Sequence, residues 1–469
     1  MELPSQRGGS FSLTINANQS VNLLGMVELI HQHLTAGLCR RVHRKVRSKE
    51  RQKKWTLYYL ARFWTAVILR APTSLTQALE DGRQGKDGLF PQVKATSEAF
   101  FEKCRDLSWT FFYKLYLGFT ESLLPKAPKV YGRSLGAVWE RFPEIFLVDG
   151  SKCDAIRHRL KLLWNQKGVV LPGCLTAFYD LGRGITRHLV FCPDAAAHEL
   201  PRAIEILSQL PAGALVVGDR LYGLMEFFRA LKKAQLCGLF RRNKLITLKK
   251  IRVLSRKQGS RTFLEDILVE AGSGQTGSKV LLRWIRYRHK GFRRDLVLDV
   301  LDRKKLSAKE ALQIYPMRWG IERLFFDLKE VLNLHCFYAA NPNAVAMQIY
   351  AAAIVHTACR VAQARIAQEH HLSPEQISPA KLYPRLAAAS CAVTQIELYH
   401  VELEHFNPDR RRLVRSLRRP DLSTFRFAKT TLGAILVEKR NGNRKKLRFH
   451  PDRRRWKSLA HIKGFKHLS

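Results

Sequence analysis

The stretch YPMRWGIERLFFDLKE, which runs from residue 315 to residue 330, contains four residues whose side chains could take part in chemistry. They are Tyr315, Arg318, Glu322 and Lys329, at offsets of 0, 3, 7 and 14. An α-helix turns by about 100° per residue, so all four fall within about 60° of one another. One edge of a helix would then present a carboxylate together with two cations and a phenol. The alternative is a solvated helix edge on which Glu322 and Arg318 pair.

The same segment has an apolar face, which predicts how the polar row is held. Ser307 and Glu310 match a capping box, so the helix is expected to begin there. Pro316 should kink or restart it. The apolar residues that would bury against a core are Met317, Ile321, Leu324, Phe325, Leu328 and Leu332.

Two aspartates stand out because each follows a short apolar run. Asp149 follows IFLV and precedes Gly-Ser, and Asp219 follows LVVG and precedes Arg-Leu-Tyr-Gly. If both runs are buried strands, both carboxylates lie at the carboxyl edge of a sheet, where open α/β sheets place ligands. The alternative for each aspartate is a turn residue before a loop.

Asp149, Asp219 and Glu322 together would form a cluster of three carboxylates. Such a cluster repels itself unless a cation lies between its members. Oxygen ligands and phosphate chemistry favour Mg²⁺, and Mn²⁺ is expected to substitute. Two ions about 4 Å apart would activate an attacking oxygen and stabilise the leaving oxygen of a phosphodiester.

The surrounding sequence predicts an α/β protein. Short apolar runs predict strands, and intervening amphipathic runs at 199–210 and 224–234 predict helices. A second β-rich texture covers 244–302, and the last hundred residues are irregular and basic. The predicted strands are 144–151, 169–180, 185–191, 214–219 and 236–240.

The net charge of the chain narrows the classes of molecule that it is expected to bind. The 469 residues include 81 Lys and Arg against 39 Asp and Glu, a formal charge of +42, which favours a polyanion such as nucleic acid. No convincing membrane span or signal peptide is expected, since the apolar run at 343–359 is typical of a buried helix. The nine scattered cysteines lack zinc-site spacing and predict reduced thiols in a cytosolic protein.

These motifs resemble those of the IS4-type DDE transposases, enzymes of insertion sequences. The hallmark Y-x₂-R-x₃-E-x₆-K is matched by Tyr315, Arg318, Glu322 and Lys329 at every spacing. Asp149 in LVDGS and Asp219 in VVGDRLYG resemble the two aspartate contexts of the family. Leu221 departs from the small residue that relatives often carry, which puts the roles of Arg220 and Tyr222 in doubt.

The resemblance covers about 140–340 and implies an RNase H-like catalytic core interrupted by a β-rich insertion. It implies that Asp149, Asp219 and Glu322 bind the metals and that Tyr315, Arg318 and Lys329 contact DNA phosphates. The predicted regions are 1–135 (helical, basic, binding DNA ends), 136–243 (first part of the core), 244–302 (insertion), 303–370 (second part of the core, with the Glu322 helix) and 371–469 (basic).

Four further residues are candidates for DNA contact. Arg220 follows the second aspartate, and Arg241 and Arg242 follow the fifth predicted strand, where cations could track a phosphate backbone. Trp284 lies in RWIRYRHKG and could stack on a displaced base, although a core aromatic is the commoner role.

The sequence therefore predicts a cytoplasmic, nucleoid-associated prokaryotic transposase. It would cut DNA at terminal inverted repeats with Mg²⁺, join the ends to target DNA and act as a homodimer in a synaptic complex. The rivals are an RNase H-like nuclease without transposition and a catalytically inactive DNA-binding derivative. A nuclease would not require the Tyr, Arg and Lys row, and the presence of all three carboxylates disfavours the inactive protein.

Overall fold

The computed structural model describes only part of the chain. The predicted basic region 371–469 therefore lies mostly outside the described residues, as does the start of the predicted strand 169–180. The described ranges are 19–23, 26–27, 31–46, 54–85, 89–153, 173–272, 279–390 and 429–435.

The described part of the first 141 residues is mainly helical. Thr56, Ser74 and Thr96 each cap a helix by accepting a hydrogen bond from a backbone N–H in its first turn. A short strand, β1, pairs antiparallel with β11 near the other end of the chain. The elements are β1 (Ser20–Asn22), α1 (Ala36–Val46), α2 (Leu57–Arg70), α3 (Leu75–Gln84), α4 (Ser97–Asp106), α5 (Thr110–Leu123) and α6 (Val138–Arg141), with 3-10 turns at Leu124–Lys126 and Arg133–Leu135.

The middle of the chain forms a mixed sheet flanked by two helices that follow strands. The apolar runs become strands because their side chains are buried on both faces. The elements are β2 (Ile145–Lys152), β3 (Cys174–Asp180), β4 (Ile185–Cys192), α7 (Glu199–Leu207), β5 (Leu215–Gly218), α8 (Met225–Lys233) and β6 (Cys237–Arg241).

Four long strands then extend the same sheet instead of forming a separate one. The strand order is β4-β3-β2-β5-β6-β10-β9-β8-β7, so the β-rich stretch joins through β10, which pairs antiparallel with β6. The strands are β7 (Leu248–Gln258), β8 (Thr262–Ala271), β9 (Val280–His289) and β10 (Phe292–Leu298).

The helices after the sheet carry the YPMRWGIERLFFDLKE stretch. Ser307 and Glu310 form the predicted capping box, and Pro316 lies in a 3-10 turn between two α-helices, as the restart prediction requires. The elements are α9 (Ala308–Ile314), a 3-10 turn (Tyr315–Arg318), α10 (Trp319–Phe326), a π-helical turn (Asp327–Val331), α11 (Pro342–Glu369), a 3-10 turn (Pro374–Gln376), β11 (Lys429–Thr431) and α12 (Leu432–Ile435).

The two faces of the sheet are covered by different helices. Leu147 of β2 belongs to the core that contains α10, α11 and the first helices. Phe146 and Val148 belong to the core that contains α7 and α8. Helix α11 is long and apolar enough to cross a membrane by composition, but its apolar window is entirely buried inside the protein. The architecture is three layers, helix–sheet–helix, with a sheet edge open between them.

A buried ion pair fastens the added strands to the start of α9. Arg283 and Asp266 are both fully buried, with bidentate contacts of 3.1 and 2.6 Å between the guanidinium and the carboxylate. The same guanidinium donates to the carbonyls of Val300, at 3.0 Å, and Leu306, at 2.6 Å. Arg283 thus links β9 and β8 to the connection that leads into α9.

We expect Arg283→Met to lower the free energy of unfolding by about 3–5 kcal/mol, because it leaves the Asp266 carboxylate buried without its main counter-charge. Chemical denaturation followed by circular dichroism measures this loss. The double variant Arg283→Met/Asp266→Leu should recover part of it, since no unpaired charge remains. A double variant no more stable than Arg283→Met would contradict this explanation.

Asp299, just after β10, makes stability depend on pH. Burial raises the pKa of its carboxyl to about 7, against the lowering effect of the Gly238 N–H, which donates to it at 2.8 Å. Because the folded pKa lies above the ordinary 3.8, this carboxyl stabilises the fold fully at low pH, and the contribution is lost as pH rises through about 7.

Relative to wild type, Asp299→Asn should therefore become more stable as pH rises, by roughly 2–3 kcal/mol between about pH 5 and about pH 8. The asparagine oxygen can still accept from Gly238 N–H but never ionises. Thermal unfolding of wild type and variant at the two pH values measures the difference. If the melting temperatures of variant and wild type differ by the same amount at both pH values, the pH dependence does not come from Asp299.

Candidate active site

The two aspartates lie side by side at the carboxyl edge of the sheet. Strands β2 and β5 are parallel, and their last paired residues are Val148 and Gly218. Asp149 and Asp219 each follow directly. Successive side chains alternate across a strand, so Asp149 points to the same face as Leu147, which is the face covered by α10.

Helix α10 approaches β2 closely enough to bring Glu322 to this edge. Gly320 allows the approach, since a Cβ at that position would lie 3.2 Å from Leu147 Cδ1. Of the predicted apolar face, only Met317 is not fully buried. The buried residues are Ile321, Leu324, Phe325, Leu328 and Leu332.

The polar row is not the single α-helical stripe that the sequence predicts. The backbone changes from 3-10 to α and then to π geometry between Tyr315 and Val331, so a constant 100° per residue does not apply. Pro316 cannot donate a backbone hydrogen bond, which is the physical reason for the break at the first transition. The four side chains nevertheless lie near the carboxyl edge of the sheet, and each has different contacts.

Arg318 connects the two carboxylates that come from distant parts of the chain. Its guanidinium donates to Asp149 Oδ2 at 3.1 Å and to Glu322 Oε1 at 2.6 Å. The arginine side chain is only 13% exposed, so the contacts are largely shielded from water. Charge-assisted bonds to both carboxylates fix their spacing.

Negative charge is crowded around Asp149. Burial, together with the nearby carboxylates of Asp219 and Glu199, raises the pKa of its carboxyl to about 7, against the lowering effect of Arg318. Asp219 is held in a turn, where its Oδ1 accepts from Leu221 N–H at 2.6 Å. One arginine does not balance these carboxylates, so an additional cation would be stabilised here.

Tyr315 and Lys329 border the same edge. Tyr315 is 7% exposed, its ring faces the Arg294 guanidinium at 5.2 Å, and burial raises the pKa of its hydroxyl. Lys329 Nζ donates to the carbonyl of Lys152 at 2.8 Å, at the end of β2. Lys329 therefore lies at the end of the strand that carries Asp149, whereas Tyr315 lies beside Arg294 of β10, close enough to Asp219 for that carboxylate to raise its pKa.

The other predicted DNA contacts lie further out. Arg220 and Arg241 are exposed, and the Arg220 carbonyl accepts from Asn243 Nδ2 at 2.9 Å. Trp284 is half-buried, and the guanidinium groups of Arg242 and Arg286 lie 4.4 and 5.0 Å from its ring centroid. A base stacking on Trp284 would have to displace one of these arginines.

Comparison with known proteins finds a family model that covers the residues of this site. Residues 141–358 match a family model described as "Transposase DDE domain". The match supports the interpretation of this chain as a DDE transposase. This segment, here called the DDE segment, contains Asp149, Asp219, Glu322 and the whole Tyr315–Lys329 row.

Two individual proteins are also similar. "Putative transposase y4zB" of Sinorhizobium fredii (strain NBRC 101917 / NGR234) is 26% identical over 195 residues, which are 38% of this chain and 54% of the relative. The chain thus spans about half the length of that curated relative. A cryo-EM structure of the piggyBac transposase synaptic complex with hairpin DNA has a TM-score of 0.41 and 11% identity, covering 92% of this chain and 88% of that one.

A fourth carboxylate, which the sequence reasoning missed, lies near Asp149 and Asp219. Glu199 is the first residue of α7, and its Oε1 accepts from the Tyr222 hydroxyl at 2.6 Å. Burial raises the pKa of Glu199, and Asp219 raises it too, with Tyr222 lowering it. The sequence signal is weak, because acidic residues commonly open helices.

The donors of the DDE segment suit a hard divalent cation by chemistry, since Asp149, Asp219 and Glu322 offer only oxygen ligands and an excess of negative charge. Across the described ranges, no three His, Cys, Asp or Glu side chains converge closely enough to hold a metal ion. Arg318 lies between two of the three carboxylates instead. The donor atoms are of the type that a hard divalent cation prefers, and Arg318 contacts both Asp149 and Glu322.

Proposed function

We propose that the protein is an insertion-sequence transposase that cuts DNA at terminal inverted repeats and joins the freed ends to target DNA. The observation that carries this proposal is the contact of Arg318 with both Asp149 and Glu322, beside Asp219, at one edge of the DDE segment. Asp149 and Arg318, 169 positions apart in sequence, meet here in a cluster whose carboxylates outnumber the cations that contact them.

We further propose an RNase H-like core of the IS4 type. The support is the order β4-β3-β2-β5-β6, with β3 antiparallel to both its neighbours and β2, β5 and β6 parallel. The Glu322 helix packs across β2 on one face of that sheet. The predicted region boundaries, with 244–302 as an insertion between the second aspartate and the glutamate, belong to this proposal.

In this proposal Asp149, Asp219 and Glu322 hold two Mg²⁺ ions, for which Mn²⁺ can substitute. When bound, such ions activate the attacking oxygen and stabilise the leaving oxygen. Water attacks the phosphorus of the phosphodiester at the transposon end, so the 3′-oxygen of the transposon strand leaves as a free 3′-OH and the flanking strand keeps a 5′-phosphate. That 3′-OH then attacks a target phosphodiester and displaces the 3′-oxygen of the target strand.

The neighbouring residues position the DNA and the carboxylates. Arg318 orients Asp149 and Glu322 by donating to both carboxylates. Tyr315 and Lys329 contact phosphate oxygens at the transposon end. Lys329 already borders the end of β2, and Tyr315 lies against Arg294 of β10, so an ammonium group and a phenol are available to phosphates of the DNA end.

The wider DNA surface is proposed from charge. The chain carries +42, and non-specific affinity for DNA increases with the number of phosphates that Lys and Arg neutralise. Arg220, Arg241 and Arg242 would track the backbone, and Trp284 would stack on a base. The helical region 1–135 and the basic region 371–469 would grip the repeats of two DNA ends in a cytoplasmic homodimeric complex.

The test is cleavage of two linear DNAs of equal length, one with the element's own ends and one with scrambled ends, in Mg²⁺. We expect cutting at the natural ends and joining to a target plasmid, with the scrambled DNA left intact. Equal cutting of both DNAs would favour an RNase H-like nuclease. Binding without cutting in either Mg²⁺ or Mn²⁺ would favour an inactive DNA-binding derivative.

A further inference from the structure

We propose that Glu199 is a positioning residue that fixes the two aspartate-bearing strand ends to each other from the far face of the sheet. The inference rests on the proposed function for its metal chemistry. Its geometric part concerns only the described contacts among α7, β2 and the turn after β5. No role in binding the ion itself is assigned to Glu199.

The first contact is with the residue after Asp149. Glu199 lies against Gly150 so closely that a Cβ on Gly150 would overlap the glutamate carboxylate. Gly150 follows Val148 by two residues and so faces the layer of α7 and α8, opposite the face that Asp149 and α10 share. The carboxylate thus braces β2 directly behind Asp149.

The second contact is with the turn that holds Asp219. Tyr222 is fully buried, and its hydroxyl donates to Glu199 Oε1 at 2.6 Å. Its ring packs 5.2 Å from Phe227, and a Cβ on Gly218 would lie 2.9 Å from Tyr222 Cδ2. The tyrosine therefore has little freedom, and its bond to Glu199 transmits position between the helix and the turn.

The third contact holds the helix that carries Glu199. One turn along α7, Arg202 approaches Cys174 Sγ at 3.1 Å and Thr176 Oγ1 at 3.4 Å, both on β3. Thr176 is the cross-strand partner of Gly150. Helix α7 is therefore anchored to β3 at the level where Glu199 meets β2. Because Glu199 contacts both Gly150 and Tyr222, its displacement would release both aspartate-bearing ends.

The experiment compares Glu199→Ala, Tyr222→Phe, the double variant of these two, Glu199→Gln and Gly150→Ala in the full-length protein. Hydrogen–deuterium exchange follows peptides covering 219–223, because the Leu221 N–H bonds Asp219 Oδ1 and reports on that turn. Electron paramagnetic resonance counts Mn²⁺ binding, and cleavage of end DNA is measured as the Mg²⁺ concentration that gives half-maximal rate.

We expect Glu199→Ala and Tyr222→Phe each to speed exchange of that turn and to weaken Mn²⁺ binding about tenfold or more, as loss of a residue that orients a metal ligand does. The double variant should be no worse than either single variant, because both remove one bond. Glu199→Gln should behave like wild type, since the amide oxygen still accepts from Tyr222. Gly150→Ala should reproduce Glu199→Ala by displacing the carboxylate.

Two results would overturn the inference. Unchanged exchange and Mn²⁺ binding in Glu199→Ala, with only a lower melting temperature, would make Glu199 merely structural. A loss in Glu199→Gln as large as in Glu199→Ala, with Tyr222→Phe like wild type, would mean that the carboxylate acts on the ion directly. Failure of the proposed function is separate, because it appears as wild-type protein that does not cut DNA.

Discussion

Glu322→Gln should reduce the rate of DNA end cleavage by about 10³-fold, because loss of one carboxylate from the proposed metal-binding set removes about 4 kcal/mol of transition-state stabilisation. Glutamine keeps the size of the side chain and can still accept from Arg318, so the fold and the position of Asp149 should persist. DNA binding should be unchanged. Single-turnover cleavage in Mg²⁺ and fluorescence anisotropy in Ca²⁺ measure the two properties separately.

The matched control is Glu226→Gln, which removes one negative charge from an exposed position in the first turn of α8. It should cut at the wild-type rate. If Glu322→Gln also cuts at that rate, Glu322 is not part of the reacting centre. If it fails to bind DNA, its role is structural and the assignment fails equally.

Arg318→Ala should slow cleavage by about 10²-fold, since a displacement of reacting groups by about 1 Å has an effect of that size. Without the guanidinium, the Asp149 and Glu322 carboxylates lose the group that fixes their spacing and repel each other. Arg318→Lys should recover little, because a single ammonium group does not reproduce a planar fork that reaches two carboxylates. Single-turnover cleavage at saturating DNA measures both variants.

Arg323→Ala is the control for the loss of positive charge. Arg323 lies on the same helix but is exposed on its outer side. Its replacement should weaken DNA binding at most slightly and leave the cleavage step unchanged. Cleavage by Arg318→Lys as fast as by wild type would disprove the bridging role, because charge alone would then suffice.

The neighbouring positions of Asp149 and Asp219 were predictable from sequence because parallel strands end at one edge. The structure pairs Val148 with Gly218, so the two following residues adjoin. Local patterns also predicted the capping box at Ser307 and the break at Pro316. In each case the signal lies within a few residues and depends on backbone chemistry.

Other features could not be predicted because they depend on contacts between distant residues. The register between α10 and β2 decides that Arg318 reaches Asp149, and it is set partly by the close approach at Gly320. The 3-10 and π turns around α10 are invisible to a constant helical period. Glu199 was missed for the same reason, since Gly150 and Tyr222 identify it only after folding.

The joining of β10 to β6 also lay beyond sequence patterns. Alternating residues predict strands, but they do not specify which edge an added group of strands will meet. The structure places the whole group on the open edge of the first five strands, with Leu296 opposite Arg241. The Arg283 contacts with Asp266, Val300 and Leu306 then stabilise that arrangement.

The central claim is that Asp149, Asp219 and Glu322 form one active site that cleaves phosphodiesters. The most direct test compares end cleavage by wild type with end cleavage by Asp149→Asn. Both proteins are given DNA with the element's own ends at saturating concentration in Mg²⁺, and the new 3′ ends are mapped. We predict a defined 3′-OH at the transposon end with wild type and none with Asp149→Asn, at equal DNA binding. Cutting by Asp149→Asn at the wild-type rate, or wild-type protein that binds the ends and never cuts them, would contradict the account.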